Sequence, residues 1–176
     1  MKKNIILLIS LLFFILNCGY TAMYSVDKNS NFKISSIKIE GDREINNHIS
    51  ADLKRYTRLD NKKDYSIEIN TIFEKNSLIK NKQGNTTDFE LIANTTVKVI
   101  ENIKSNNNIN NPSTKEYNFS MTEKSNINKN DDKFEEINYD MITKKNFAKS
   151  ISDKIVFNLV KISRDKWLLN YLKLIK

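Results

Sequence analysis

Two residues that could carry chemistry occur once each in this 176-residue chain: Cys18 and His48. A lone thiol cannot form an intramolecular disulfide, a thiolate zinc cluster or a Cys-x-x-Cys redox pair. A lone imidazole excludes a multi-histidine metal centre and leaves one place for the base of a Ser-His-Asp or Cys-His mechanism. His48 stands about one helical turn beyond Ile45, so its expected role is a hydrogen-bonded flank of the core, not a base. The acidic pairs Asp131-Asp132 and Glu135-Glu136 fall where a helix should begin, and the positive field of a helix N-terminus accounts for them without acid/base catalysis. Gly19, Gly41 and Gly84 are too few and too scattered for a phosphate-cradling loop. The residue inventory implies no cofactor, no metal and no enzyme.

The chain carries 29 Lys plus Arg against 21 Asp plus Glu, a net charge of +8, which raises nucleic acid or an anionic membrane as a partner. The basic residues are 25 Lys and only 4 Arg, beside 26 Asn and 24 Ile. A phosphate-reading surface would favour the bidentate fork of Arg. This skew instead follows adenine- and thymine-rich codons, and the charge alone names no partner.

What surrounds Cys18 is more specific. Met1 to Leu16 reads as two lysines followed by an uncharged apolar run, Ile5 to Leu16. Such a run falls short of the ~20 residues that span hydrocarbon but fits a secretory signal, with residues 1–17 removed as the leader. The sequence Ile15-Leu16-Asn17-Cys18-Gly19 resembles the lipobox of bacterial lipoproteins, with Asn17 in place of the usual small residue. That resemblance implies diacylation of the Cys18 sulfur, cleavage before it and acylation of the new amine. At ~0.8 kcal/mol per buried methylene, several acyl chains make a stable membrane anchor. By resemblance to sorted lipoproteins, in which Asp after the cysteine signals inner-membrane retention, Gly19 implies the outer membrane, with the body on the periplasmic side. Loss of Lys2 and Lys3 with the leader leaves 159 residues at net charge +6. Residues 18–31 then read as a lipidated N-terminus and tether.

The elements that follow are legible from periodicity. Ser36 to Glu40 reads as a strand, with Phe32 and Ile34 on the opposite parity to Ile37 and Ile39, so a bulge is expected at Ser35-Ser36. Gly41 turns the chain, and Asp42 caps a helix whose stripe is Ile45, Ile49, Leu53 and Tyr56, ending near residues 58–61. Tyr65, Ile67, Ile69, Thr71 and Phe73 alternate with polar residues, Lys80 to Asn85 is a polar turn, and Phe89 to Val99 alternates again, giving a hairpin. The Asn-rich run before Thr114, with the only proline at Pro112, makes a second turn ahead of a strand holding Tyr117, Phe119 and Met121. Residues 125–132 read as a flexible loop. From Asp131 onward, Ile137, Met141, Ala148, Ile151, Ile155, Leu159 and Ile162 keep helical spacing for some thirty residues, about 45 Å. The order βαβββα predicts an α+β domain over residues 32–163, a four-stranded, mostly antiparallel sheet with two helices packed on one face.

An acylated Cys18-Gly19-Tyr20 start, the Ile37-x-Ile39-x-Gly41 strand end, the Gln83-Gly84-Asn85 hairpin and a long terminal helix, in this order, resemble the LptE family of lipopolysaccharide-assembly lipoproteins. The match runs from Cys18 to about Ser163. It implies a two-layer sandwich that plugs the outer-membrane β-barrel LptD, supports its assembly and helps deliver lipopolysaccharide to the outer leaflet. Family positions for lipopolysaccharide contact fall on Lys80 and Lys82 in the hairpin and near Lys129 in the loop before the last helix. A lysine would meet lipid A phosphates as a point charge.

An alternative is a lipid- or ligand-binding envelope lipoprotein with no barrel partner. Alternating aromatics on the strands also suit an RNA-stacking sheet, but an export signal argues against nucleic acid. Residues 164–176, with Trp167, Leu168, Leu169, Tyr171, Leu172, Leu174 and Ile175, form an apolar tail. It is expected either to continue the packing of the last helix or to contact the barrel wall or membrane interface.

Overall fold

Strands that alternate apolar with polar residues make a sheet with one face that must be covered. The computed structural model describes residues 31–58, 63–103 and 114–174, with side chains as far as residue 164. They lie within one compact unit, Asn31–Lys176. In chain order they form β1 (Phe32–Gly41), α1 (Arg43–Leu53) with a 3-10 continuation (Lys54–Arg58), β2 (Lys63–Lys80), β3 (Thr86–Asn102), β4 (Thr114–Asn128) and α2 (Lys133–Leu174). The sheet order is β1-β2-β3-β4. β1 is parallel to β2, with α1 as the crossover a parallel pair requires, and the other two pairs are antiparallel. The fold is the expected α+β arrangement in βαβββα order. The signal segment, Cys18, the tether and the turn around Pro112 lie outside the described residues.

The parity conflict in β1 is resolved as its sequence demands. The pairing with β2 slips between Ile34 and Ser36, so one extra residue, Ser35, is accommodated and Ile34, Ile37 and Ile39 all keep partners on the apolar rows of β2. The Ser35 hydroxyl donates to the Tyr65 carbonyl at 3.2 Å. Without the bulge, either Phe32 and Ile34 or Ile37 and Ile39 would point away from the core.

The turn into α1 depends on a residue without a side chain. Gly41 has φ of 93°, and a Cβ there would lie 2.0 Å from the Thr71 carbonyl oxygen. This closeness lets the Asp42 amide donate to that oxygen at 2.7 Å. The Asp42 carboxylate then accepts from the Ile45 amide at 2.9 Å, capping the helix as its sequence predicted. Asn46, buried one turn on, donates to the Glu40 carbonyl at 2.6 Å and ties the helix to the strand before it.

The core lies between the helices and the odd-numbered face of the sheet. Tyr65, Ile67, Ile69, Leu91, Ala93, Val97 and Val99 from the strands meet Ile45, Ile49, Leu53 and Tyr56 from the first helical segment and Phe147, Ala148, Ile151, Ile155 and Leu159 from α2. Phe32 closes one end, stacked on Tyr56 with ring centroids 5.5 Å apart. Each Val, Leu, Ile or Phe side chain among them contributes about 1.5–3 kcal/mol on burial. Thr71 and Thr95, buried in the same face, satisfy each other at 3.1 Å. Burial also holds the Tyr65 hydroxyl well above the ordinary tyrosine pKa, with Glu101 and Tyr117 nearby adding to the effect.

Three expectations need correction. Residues 125–128 are strand, not loop: they continue β4 against β3, with Ile127 opposite Phe89. Pairing to an existing strand overrides the weak propensity of an Asn-rich run. α2 is 42 residues long, about 63 Å at helical rise, and its backbone stays helical through Leu174; the side chains of residues 165–176 lie outside the described residues. Ile137 and Met141, read as part of the buried stripe, are 59% and 49% exposed.

Gly41→Ala is expected to destabilise the protein more than Gly84→Ala. Both glycines have positive φ, which costs an alanine about 1–2 kcal/mol, but only at Gly41 does the new methyl strike backbone, whereas around Gly84 nothing lies within 4 Å. Urea denaturation of the two variants measures the difference, and equal losses would contradict this account.

Candidate functional site

Because β2, β3 and β4 alternate in direction, the β2–β3 turn and the β4–α2 connection must emerge at the same end of the sheet. The turn holds itself together. The Asn81 side chain accepts from the Gln83 and Asn85 amides at 3.0 and 2.9 Å, the Asn81 amide donates to the Asn85 carbonyl at 2.9 Å, and Gly84 supplies a positive φ of 83°. Across from it the Lys129 amide donates to the Thr87 carbonyl at 2.8 Å, clipping the connection to the hairpin. Asp132 caps α2 by accepting from the Phe134 amide at 2.8 Å. Between turn and connection lies a concavity of about 390 Å³ lined by Asn81, Asn85, Thr86, Thr87, Lys129 and Asp131.

The three lysines named from sequence are therefore brought to one end. Lys80, Lys82 and Lys129 are all exposed. None has a carboxylate partner among the described residues, whereas many lysines elsewhere on the sheet and α2 do. Leu78 and Ile79, next to Lys80, are exposed too, and so is Phe134 at the start of α2, at 77%. This end combines free cations with uncovered apolar side chains.

Sequence reasoning missed what lies beneath it. The row of α2 that faces the sheet here is Glu136, Asp140, Lys144, then Phe147, Ile151 and Ile155, a stripe at steps of four and three that starts charged and turns apolar. Lys75 of β2 reaches Glu136 at 2.6 Å and Asp140 at 2.9 Å, and lies 4.6 Å from the Phe89 ring centroid. One turn further on, Lys144 reaches Asp42 and Glu44 at 3.1 Å each, 4.5 Å from the Phe73 ring centroid. For both ammonium groups burial pulls the pKa down, but the hydrogen bonds and charges of the paired carboxylates outweigh it, so each stands above the ordinary lysine value. The signal was present in the sequence as two acids four residues apart, opposite a lysine on the odd face of β2.

Other candidates have plainer roles. His48 is exposed on α1, not at the border of the core. The polar sheet face away from the helices forms a second concavity of about 490 Å³, and its charges are matched locally, as in Lys38–Glu40 at 3.0 Å and Lys98–Glu116 at 3.1 Å. Among the described residues no three metal-ligating side chains cluster, and no helix is long and apolar enough to cross a membrane.

The fold is similar to that of the rare lipoprotein B from Shewanella oneidensis, with 12% identity and a TM-score of 0.52 over 74% of this chain and 97% of that one. A lipoprotein B from Nitrosomonas europaea aligns at 14% identity and a TM-score of 0.44 over 81% and 92% of the two chains. A minor lipoprotein from Acinetobacter baumannii aligns at 11% and 0.41 over 70% and 92%. At these identities the likeness is one of fold, and it is carried by the first. No family profile and no curated protein sequence matches the chain.

Lys75→Ala leaves two half-buried carboxylates unpaired, with side-chain exposures of 22% and 24%, and is expected to lower stability by about 1–3 kcal/mol at pH 8. Since the folded-state pKa of Lys75 is raised, its contribution is complete below the ordinary lysine value of ~10.4 and fades as pH rises through the folded value. Urea titrations should show the gap between wild type and variant narrowing above that pH. A gap that widened in alkali would contradict the assignment.

Proposed function

We propose that the chain is a non-enzymatic envelope lipoprotein of the LptE type, anchored through acylated Cys18 to the periplasmic side of the outer membrane. In this reading it assembles with and plugs an LptD-like β-barrel and helps pass lipopolysaccharide to the outer leaflet. The observation that carries the reading is a βαβββα sandwich that follows, in the sequence, a lipobox-like cysteine and a short tether. Its likeness in fold to a solved lipoprotein adds support. The unpaired lysines at the hairpin end supply the chemistry: lipid A presents phosphates beside acyl chains, and Lys80, Lys82 and Lys129 stand beside exposed Leu78, Ile79 and Phe134. Exposed lysines act at Debye range, ~8 Å at physiological salt, and attract an anionic headgroup without fixing its orientation.

The partner is tested by extracting the tagged full-length protein from outer membranes. A large β-barrel should come with it, while Cys18→Ser should lose outer-membrane sedimentation. Recovery of the wild-type protein alone, or with retained lipid and no barrel, would favour an independent lipid-binding lipoprotein instead.

Joint replacement Lys80→Gln, Lys82→Gln and Lys129→Gln is expected to weaken lipopolysaccharide binding about tenfold at low salt, with the deficit shrinking as salt screens the wild-type attraction. Equal affinity at every ionic strength would return the three residues to the role of solvated turn lysines.

A further inference from the structure

β1 and α1 meet at one corner and go no further. β1 leaves the sheet at Gly41, opposite Thr71 of β2, and α1 starts at Arg43 and returns over the sheet as the crossover. β2 continues past that corner from Ile72 to Lys80, and α2 accompanies it, as the pairs of Lys75 with Glu136 and Asp140 require. This leaves a notch, with a strand edge on one side and a helix flank on the other.

The edge is open. The Thr71 carbonyl accepts from the Asp42 amide, so Thr71 directs its backbone groups to the β1 side, and by the period of two so do Phe73, Lys75 and Ser77. Ile72, Glu74 and Asn76 point the other way, to β3. Beyond Thr71 no described strand lies on the outer side. The usual protections are missing: the register with β3 is unbroken up to Ser77, there is no proline, and Lys75 is turned to its partners on α2.

The helix flank is open too. Ile137, Met141, Ala148 and Ile155 follow at steps of four and seven along one stripe of α2, and Phe134 precedes Ile137 by three. Ala148 and Ile155 are fully buried where α1 packs beside α2, whereas Phe134, Ile137 and Met141 are exposed because α1 begins too late to cover them. An acyl chain could cover the stripe but not pair the edge. An extended peptide does both, its backbone bonding to β2 and its alternate side chains resting on α2.

The chain itself does not supply that peptide. Residues 1–30 join the sheet at Phe32, which pairs with Lys63 at the far end of β2. In the acylated form, residues 18–31 reach at most about 50 Å, and returning along the ten residues of β1 uses about 33 Å of it. The remainder falls short of the roughly 20 Å from Ile72 to Ser77. Glu74, exposed on the face away from the helices, stands outside the ion pairs of the described residues and calls for a cation across the edge.

We propose that an extended segment of the barrel partner adds a strand to β2 along Ile72–Ser77, with apolar side chains against Phe134, Ile137 and Met141 and a basic one beside Glu74. The inference rests on the barrel reading. Wall strands of a closed barrel are already paired on both sides, so the segment is a stretch of partner chain that enters the lumen.

The full-length tagged protein is compared with its barrel complex by hydrogen exchange read at single amides. Those of Lys75 and Ser77 should exchange freely in the lone chain and about tenfold or more slower in the complex, while Ile72 and Glu74, bonded to β3, are protected in both. Ser77→Pro removes an outward amide at an edge position that tolerates proline, and should lower the barrel recovered per chain about tenfold. Ser77→Ala loses the same hydroxyl contact with Thr86 but keeps the amide, and should match wild type. Ile137→Glu, at a site open to solvent in the lone chain, should act like the proline variant. Photo-crosslinking residues at positions 72 and 137 should both tag one barrel segment. A barrel recovered while Lys75 and Ser77 still exchange freely, or crosslinks to a second copy, would overturn the strand addition and leave the plug reading standing. Absence of any barrel would overturn both.

Discussion

Four elements of this fold meet at one aspartate. The Asp42 amide donates to the Thr71 carbonyl of β2, one carboxylate oxygen caps α1, and the other receives Lys144 of α2. The junction exists only because Gly41 lets the backbone approach β2 where no side chain would fit. With β1 leading into it, this point fixes the angle at which α1 leaves the sheet and where α2 crosses above it. The apolar core then fills a space whose walls are already set. Hydrophobic burial supplies most of the free energy, but it is non-directional, and the hydrogen-bonded corner is what selects one arrangement of the layers.

From that corner α2 runs in two different regimes. Towards its C-terminus, from Phe147 to Leu159, it is seated by fully or nearly fully buried apolar side chains, and Lys63 donates to the Ser163 carbonyl beyond them. Towards its N-terminus it is held by the paired lysines Lys75 and Lys144, while Ile137 and Met141 point to solvent. Screening by salt acts chiefly on the ion-paired end, and less there than on exposed pairs, because these groups are partly buried. The helix is thus seated by apolar packing over the middle of the sheet and by ion pairs towards the hairpin end, where Lys80, Lys82 and Lys129 stand.

Much of this was legible in the sequence. The bulge at Ser35 followed from a clash of parities, the Asp42 cap from residue type and the hairpin turn from Asn81 and Gly84, since each is dictated within a few residues. The strand order, combined with alternating direction, was enough to place Lys80 and Lys82 at the same end as Lys129. What could not be read was set by contacts distant in sequence. Ser125 to Asn128 look like a loop until β3 offers them a partner. Ile137 and Met141 look buried under the rule that apolar residues face inward; that rule fails where the sheet presents Lys75, because acids then make the better inner face. His48, one turn past buried Ile45, lies on the outer side of α1, since the core-facing row runs through Ile45, Ile49 and Leu53.

Net charge says less about the partner than pairing does. Lys33, Lys38, Lys98, Lys124, Lys149 and Lys154 each have a carboxylate within 4 Å. Such exposed pairs contribute at most about 1 kcal/mol each, but they also cancel the field around them. A chain of net +8 therefore presents much of its sheet as locally neutral, and Lys80, Lys82 and Lys129, like Arg43, Lys54, Lys115 and Lys145 elsewhere among the described residues, stand outside these pairs. Because Lys80, Lys82 and Lys129 are lysines at turns, they exert attraction without a fixed geometry. A storage protein would benefit from a closed pocket and a bidentate grip. In the proposed reading, an open end with exposed point charges beside exposed apolar side chains suits an amphiphile that must be met briefly and then released.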